Sequence, residues 1–166
     1  MKLVATALQK HPALNSQWHE DKVFSPDEIN IALAVDSERG LLAPVIRNVP
    51  ALSIHQIAAT SRTLIEKARA GRLAREQFEG GTFTVTNLGS FGVETFTPII
   101  NLPQCAILGI GRIAREPVAV AEQIVIRDIV PLSLTFDHRV LDGATAARFL
   151  ATLRQLVDEP VPSLGP

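Results

Sequence analysis

From Ile129 to Phe136 apolar and polar positions alternate, with Val130, Leu132, Leu134 and Phe136 on one side and Pro131, Ser133 and Thr135 on the other. That is the period-two signature of a half-buried strand. Beyond it, Ala146, Ala147, Phe149, Leu150, Leu153, Leu156 and Val157 recur at helical spacing. The stretch between them, Asp137-His138-Arg139-Val140-Leu141-Asp142-Gly143, therefore reads as a corner where a strand hands over to a helix. Asp142 is placed to cap that helix, and Gly143 gives the corner backbone freedom. An imidazole held on such a corner between two rigid elements suits a general base, and equally a hydrogen-bonded structural residue. The local pattern leaves both open.

The same reading along the chain predicts a first helix over 2–9. Alternating strands follow around Ile29–Val35 and Leu41–Ile46, paired as a hairpin across a turn at 36–40. Pro44 lacks an N–H and assigns the second of these to a sheet edge or bulge. Ser53 is the expected N-cap of a long amphipathic helix through Ile54, Ile57, Ala58, Ser61, Leu64, Ile65 and Ala68 that ends at Gly71. A short helical piece over 73–78 and a strand over 82–86 come next. A glycine-punctuated loop over 87–92 leads to apolar strands over 96–100 and 104–110. Two short strands at 118–121 and 124–126 are joined by Glu122-Gln123. Long helices beside a mostly antiparallel mixed sheet predict a two-layer α/β sandwich. One domain over 1–159 is expected, with a Pro-rich tail at 160–166. The abrupt opening inside a helical pattern leads us to expect that part of this domain lies upstream of Met1.

Composition narrows the field. The formal net charge is -1, and no Lys/Arg run occurs, so neither nucleic acid nor a membrane surface is an expected partner. No apolar run approaches the roughly 20 residues of a membrane span. No secretory signal pattern opens the chain, and an intracellular protein is expected. Cys105 is the only cysteine. Its flank of Ala106, Ile107 and Leu108 marks it as core rather than nucleophile. His11, His19 and His55 share no ligand spacing, and His138 with Asp142 would supply two ligands at most, so no metal is expected. Gly109-Ile110-Gly111-Arg112-Ile113-Ala114 spells a dinucleotide fingerprint, but Pro117 and a strand-like run stand where the fingerprint needs a helix. Gly89-Ser90-Phe91-Gly92 lacks the spacing of a serine-hydrolase elbow.

Gly81 to Gly92, Pro98 to Gly109 and Asp137-His138-Arg139-Val140-Leu141-Asp142-Gly143 together closely resemble the catalytic domain of the dihydrolipoamide acyltransferases. These are the E2 components of the 2-oxo acid dehydrogenase complexes. His11-Pro12-Ala13-Leu14-Asn15 and Gly40 to Ile46 carry the same likeness, so it covers nearly the whole chain. The resemblance implies the chloramphenicol acetyltransferase-like fold. It also implies transfer of an acyl group from the dihydrolipoyl thiol of a swinging lipoyl domain, absent from this chain, to coenzyme A. His138 falls at the family's catalytic histidine, Thr86 at the hydroxyl that donates to the tetrahedral oxyanion, and Asp142 at the motif's second acid, which organises the site.

A homotrimer building a cubic or dodecahedral core is likewise implied, with histidine and hydroxyl contributed by different subunits. So are E1 and E3 partner components, and a bacterial cytoplasmic or mitochondrial matrix setting. A structural core subunit without catalysis is the alternative; a free-standing acyltransferase with a small-molecule acceptor fits less well, because Asp137 rather than a second histidine precedes His138. Which acyl group is carried stays open among acetyl, branched-chain and succinyl.

Overall fold

The computed structural model describes residues 1–38 and 40–160; Arg39, in the predicted turn, and all of the predicted tail beyond Pro160 lie outside the described residues. Its centre is a five-stranded mixed sheet. The strands are β3 (Ile31–Leu33), β6 (Val45–Ile46), β7 (Phe83–Asn87), β8 (Ala106–Ile110) and β11 (Leu132–Phe136), in the order β11-β8-β7-β3-β6. The two inner pairings, β3 with β7 and β7 with β8, are parallel, and the two outer ones are antiparallel. Three two-stranded ribbons complete the strands. They are β1 (Gln17–His19) with β2 (Lys22–Phe24), β4 (Val35–Ser37) with β5 (Gly40–Leu42), and β9 (Ala114–Val120) with β10 (Gln123–Ile129), all antiparallel. The predicted mixed, mostly antiparallel α/β sandwich is what the chain forms.

Three helices, α1 (Lys2–Lys10), α2 (Ile54–Arg69) and α3 (Gly143–Asp158), form the second layer. Two of them, α2 and α3, open on side-chain caps. Ser53 and Gln56 close a capping box on α2, with the Gln56 N–H donating to Ser53 Oγ at 3.2 Å and the Ser53 N–H to Gln56 Oε1 at 2.8 Å. Asp142 caps α3 by accepting from the Thr145 N–H at 2.6 Å. The apolar stripes face the sheet: Phe149 of α3 meets Phe83 of β7 with ring centroids 5.9 Å apart, and both are fully buried. Burying a phenylalanine of this kind contributes about 1.5–3 kcal/mol relative to leaving it in water.

The hairpin of 29–46 forms but is broken in the middle. β3 pairs with β6 and β4 with β5, while Ala34, Ala43 and Pro44 lie outside both ladders. β6 is the sheet's edge strand, the place a neighbouring proline allows. The ribbon β9–β10 is longer than its sequence predicts, and its turn is Ala121-Glu122, not Glu122-Gln123. Both turn residues have positive φ, 46° and 65°, which matches the right-handed twist of the strands.

Residues 96–100 correct the sequence reading: they form no strand. Pro98 lacks a donor, and the inner strands β7 and β8 over which the segment runs already have neighbours on both sides and offer it no ladder. The segment instead crosses the sheet face opposite the helices. There the Phe96 ring lies on Gly109, where a Cβ would come within 2.9 Å of Phe96 Cζ. Gly111 is as constrained, since a Cβ there would fall 1.8 Å from the Glu94 carbonyl oxygen. The glycines of the apparent dinucleotide motif are thus dictated by close packing, and β9 rather than a helix follows them.

Candidate active site

The strand β11 ends at Phe136 because Asp137, though its N–H still donates to the Cys105 carbonyl at 2.8 Å, turns the chain outward. Asp137 and Arg139 then clamp the corner. The Asp137 carboxylate accepts from the Arg139 backbone N–H at 2.9 Å, from Nε at 3.0 Å and from Nη2 at 2.6 Å. These bonds to Arg139 hold the Asp137 carboxyl below the usual carboxylate range. His138 sits between them, exposed, with its ring 5.6 Å from that of Phe136. Four residues on, Asp142 is held ionised chiefly by the Thr145 N–H, then by the Thr145 hydroxyl. It serves as the helix cap and keeps the corner's far side fixed.

Thr86 lies in another place. It is half-buried near the end of β7 and lines a recess of about 460 Å³ on the sheet face crossed by 96–100. Ala34, Leu41, Phe96, Ile99 and Ile107 are among its walls, and none of the described lining residues is charged. Beneath it, Thr84 donates to Gln104 Oε1 at 2.6 Å and accepts from Asn101 Nδ2 at 3.3 Å, both from the segment that closes the recess. This amide pair, of which Gln104 is buried and Asn101 half-buried, was invisible in the sequence, because nothing local ties Asn101 and Gln104 to Thr84.

One chain does not bring Thr86 and His138 together. Thr86 is level with Gly109 on β8, which is level with Ser133 on β11. Two strand spacings of about 4.8 Å separate Thr86 from Ser133, and three residues at about 3.3 Å each separate Ser133 from Phe136. Phe136, two residues before His138, is therefore about 14 Å from Thr86. The hydroxyl and the imidazole stand at opposite ends of the sheet.

Cys105 is fully buried, its Sγ 3.4 Å from the Leu14 carbonyl oxygen, and burial pushes its thiol up to about 11. It is packing, as its sequence flank predicts. Among the described residues no three His, Cys, Asp or Glu side chains gather as a metal site requires, and no helix is long and apolar enough to cross a membrane.

The layer order and the exposed histidine corner define a class: the fold is that of chloramphenicol acetyltransferase, one structure of which superposes with a TM-score of 0.57 at 14% identity, covering 93% of this chain and 73% of that one. At that identity the likeness concerns fold alone. The family follows from closer relatives. Residues 1–164 match the family described as 2-oxoacid dehydrogenases acyltransferase (catalytic domain), and the chain belongs to it. A Bacillus subtilis relative, the dihydrolipoyllysine-residue acetyltransferase component of the acetoin cleaving system, is 47% identical over 154 residues, 93% of this chain and 39% of its own length.

Among solved structures, the cubic core of the pyruvate dehydrogenase multienzyme complex superposes with a TM-score of 0.95 at 39% identity, covering 99% of this chain and 68% of that one. The dihydrolipoamide acetyltransferase of Azotobacter vinelandii, solved to investigate a serine, a histidine and an asparagine in its catalytic mechanism, gives 0.95 at 40% identity with the same coverage. This chain thus spans about two fifths of the length of the curated relatives it matches.

Proposed function

We propose that this chain transfers an acyl group from a dihydrolipoyl thioester to coenzyme A, with His138 as general base and Thr86 as oxyanion donor. The observation that carries this is a spacing. The serine and histidine investigated in the Azotobacter enzyme are separated by the same 52 positions as Thr86 and His138, and its asparagine follows by four, as Asp142 does. Thr86 keeps the hydroxyl of the serine. Asp142 has a carboxylate where that enzyme has an amide, and here it caps α3.

His138 removes the proton from the coenzyme A thiol, which at an ordinary pKa of about 8.5 is mostly protonated near neutrality. The resulting thiolate attacks the thioester carbonyl, forming a C–S bond and placing negative charge on the oxygen. Thr86 donates its hydroxyl hydrogen to that oxygen. As the intermediate collapses, the bond to the dihydrolipoyl sulfur breaks and His138 returns its proton to that sulfur. A donor of the Thr86 kind typically supplies about 2.7–4 kcal/mol of transition-state stabilisation.

The recess at Thr86 favours a neutral acyl group. The described walls are mostly apolar and carry no cation to pair with a carboxylate-bearing acyl chain. They favour acetyl or a branched-chain acyl group over succinyl. The 14 Å offset within one chain supports a site completed by a second copy, as in a homotrimer within a larger core.

The test is acyl transfer by the full-length protein carrying His138→Ala, measured as acyl-coenzyme A formed from acyl-dihydrolipoamide. Loss of a general base lowers turnover by about 10²–10⁴-fold. Turnover near wild type would overturn the assignment.

A further inference from the structure

Besides Asp137 and Arg139, a ring from a distant part of the sequence reaches the His138 corner. Trp18, the only tryptophan of the chain, sits in the middle of β1. Hydrogen bonds tie this ribbon to the end of the main sheet: the Trp18 N–H donates to the Pro103 carbonyl at 2.8 Å, and the Cys105 N–H donates to the Ser16 carbonyl at 3.0 Å. Cys105 in turn accepts from Asp137, the residue before His138. The indole is therefore fixed in the frame of the corner it faces.

Over its ring lies the Arg139 guanidinium, with its central carbon 4.6 Å from the centroid. That guanidinium is the one chelated by Asp137, so the residues on either side of His138 are linked to each other and to Trp18. Asp137 is nearly buried, its side chain 12% exposed, whereas Arg139 is 58% exposed. Asp137 holds this exposed arginine by hydrogen bonds and the Asp21 charge also acts on it, while the indole face gives the guanidinium a flat surface to rest on.

We propose that Trp18 is a positioning residue for His138: it holds Arg139 over its ring, Arg139 holds Asp137, and the two together fix the backbone on which the imidazole stands. The inference rests on His138 being the base.

The experiment compares Trp18→Leu and Trp18→Phe in the full-length protein, with kcat and KM for coenzyme A determined separately and assembly followed by native mass. A cation over an exposed aromatic face shifts an equilibrium by about two- to fivefold. Trp18→Leu is expected to lower kcat by about that factor, with KM and native mass unchanged. Trp18→Phe, which keeps an aromatic face, is expected to recover most of the loss. If Trp18→Leu fails to assemble, Arg139→Gln, an exposed position, replaces it and is expected to lower kcat likewise.

Wild-type kcat in the leucine variant, or an equal loss in the leucine and phenylalanine variants, would overturn the proposal. His138→Ala in the same assay separates the two readings. If it is inactive while Trp18→Leu turns over normally, only the positioning role fails; if it is active, the base assignment fails first.

Discussion

Mixing two inactive variants should restore activity. The sheet register puts Thr86 about 14 Å from Phe136, at the foot of the His138 corner, while the proposed chemistry needs hydroxyl and imidazole at one thioester. Consider full-length protein carrying His138→Ala co-assembled in equal amounts with protein carrying Thr86→Ala. Where a site draws its imidazole from one copy and its hydroxyl from the next, it is intact only if the first copy is the Thr86 variant and the second the His138 variant. Random mixing in a closed ring gives that arrangement at about one site in four, whatever the ring size. The mixture should then show about 25% of wild-type turnover. Each variant alone should retain about 1% or less, since removing the oxyanion donor costs about 10²–10³ and removing the base about 10²–10⁴. The assay is acyl-coenzyme A formation after co-refolding, with hybrid assemblies verified by native mass spectrometry. Hybrids no more active than the mean of the two parents would refute the shared site.

Three further outcomes can be measured. Thr86→Ser keeps the hydroxyl and should hold kcat within a few-fold of wild type, whereas Thr86→Val should lose about 10²–10³ in kcat with little change in KM; comparable rates for serine and valine would exclude an oxyanion donor. Thr84→Val leaves the buried Gln104 Oε1 without its donor at 2.6 Å and should destabilise the fold by about 1–3 kcal/mol in denaturant unfolding; an unchanged midpoint would contradict the recess network. Cys105 should resist a thiol reagent in the native protein at pH 8 and react once on unfolding. With its thiol raised to about 11, its contribution to stability is complete below the unfolded thiol's pKa of about 8.5 and is lost as pH rises toward 11; Cys105→Ala should flatten that alkaline decline.

Local chemistry was what the sequence made legible. Ser53 and Asp142 could be recognised as caps because a cap and its helix are adjacent in the chain, and both make the predicted bonds. The alternation of Leu132, Leu134 and Phe136 marked the face that packs on the core. Pairings distant in sequence were not legible: nothing in Ile31–Leu33 announces parallel partnership with Phe83–Asn87, or that strand's with Ala106–Ile110. The apolar run at 96–100 looked like a strand because it is hydrophobic, yet its apolar residues wall a recess instead. Ala121 and Glu122 hold left-handed conformations that usually go to Gly, Asn or Asp, so the turn was placed one residue late.

The site divided along the same line. His138 and Asp142 stood out from their own neighbours, and their corner is where the sequence put it. Thr86 was an ordinary strand threonine until the family resemblance singled it out. Trp18 gave no signal at all, since it meets Arg139 only after β1 docks beside the end of β8.

The bare backbone at Gly109 bears on how this fold can diversify. Because the Phe96 ring rests directly on it, no single substitution in β8 at that position can reshape the recess without displacing the crossing segment. The depth at that point is set from above, by how many atoms residue 96 brings. Descendants that come to accept larger acyl groups would be expected to change first in the irregular segment and last in the strands. A protein engineer seeking a wider substrate range would start at Phe96 and leave the sheet alone.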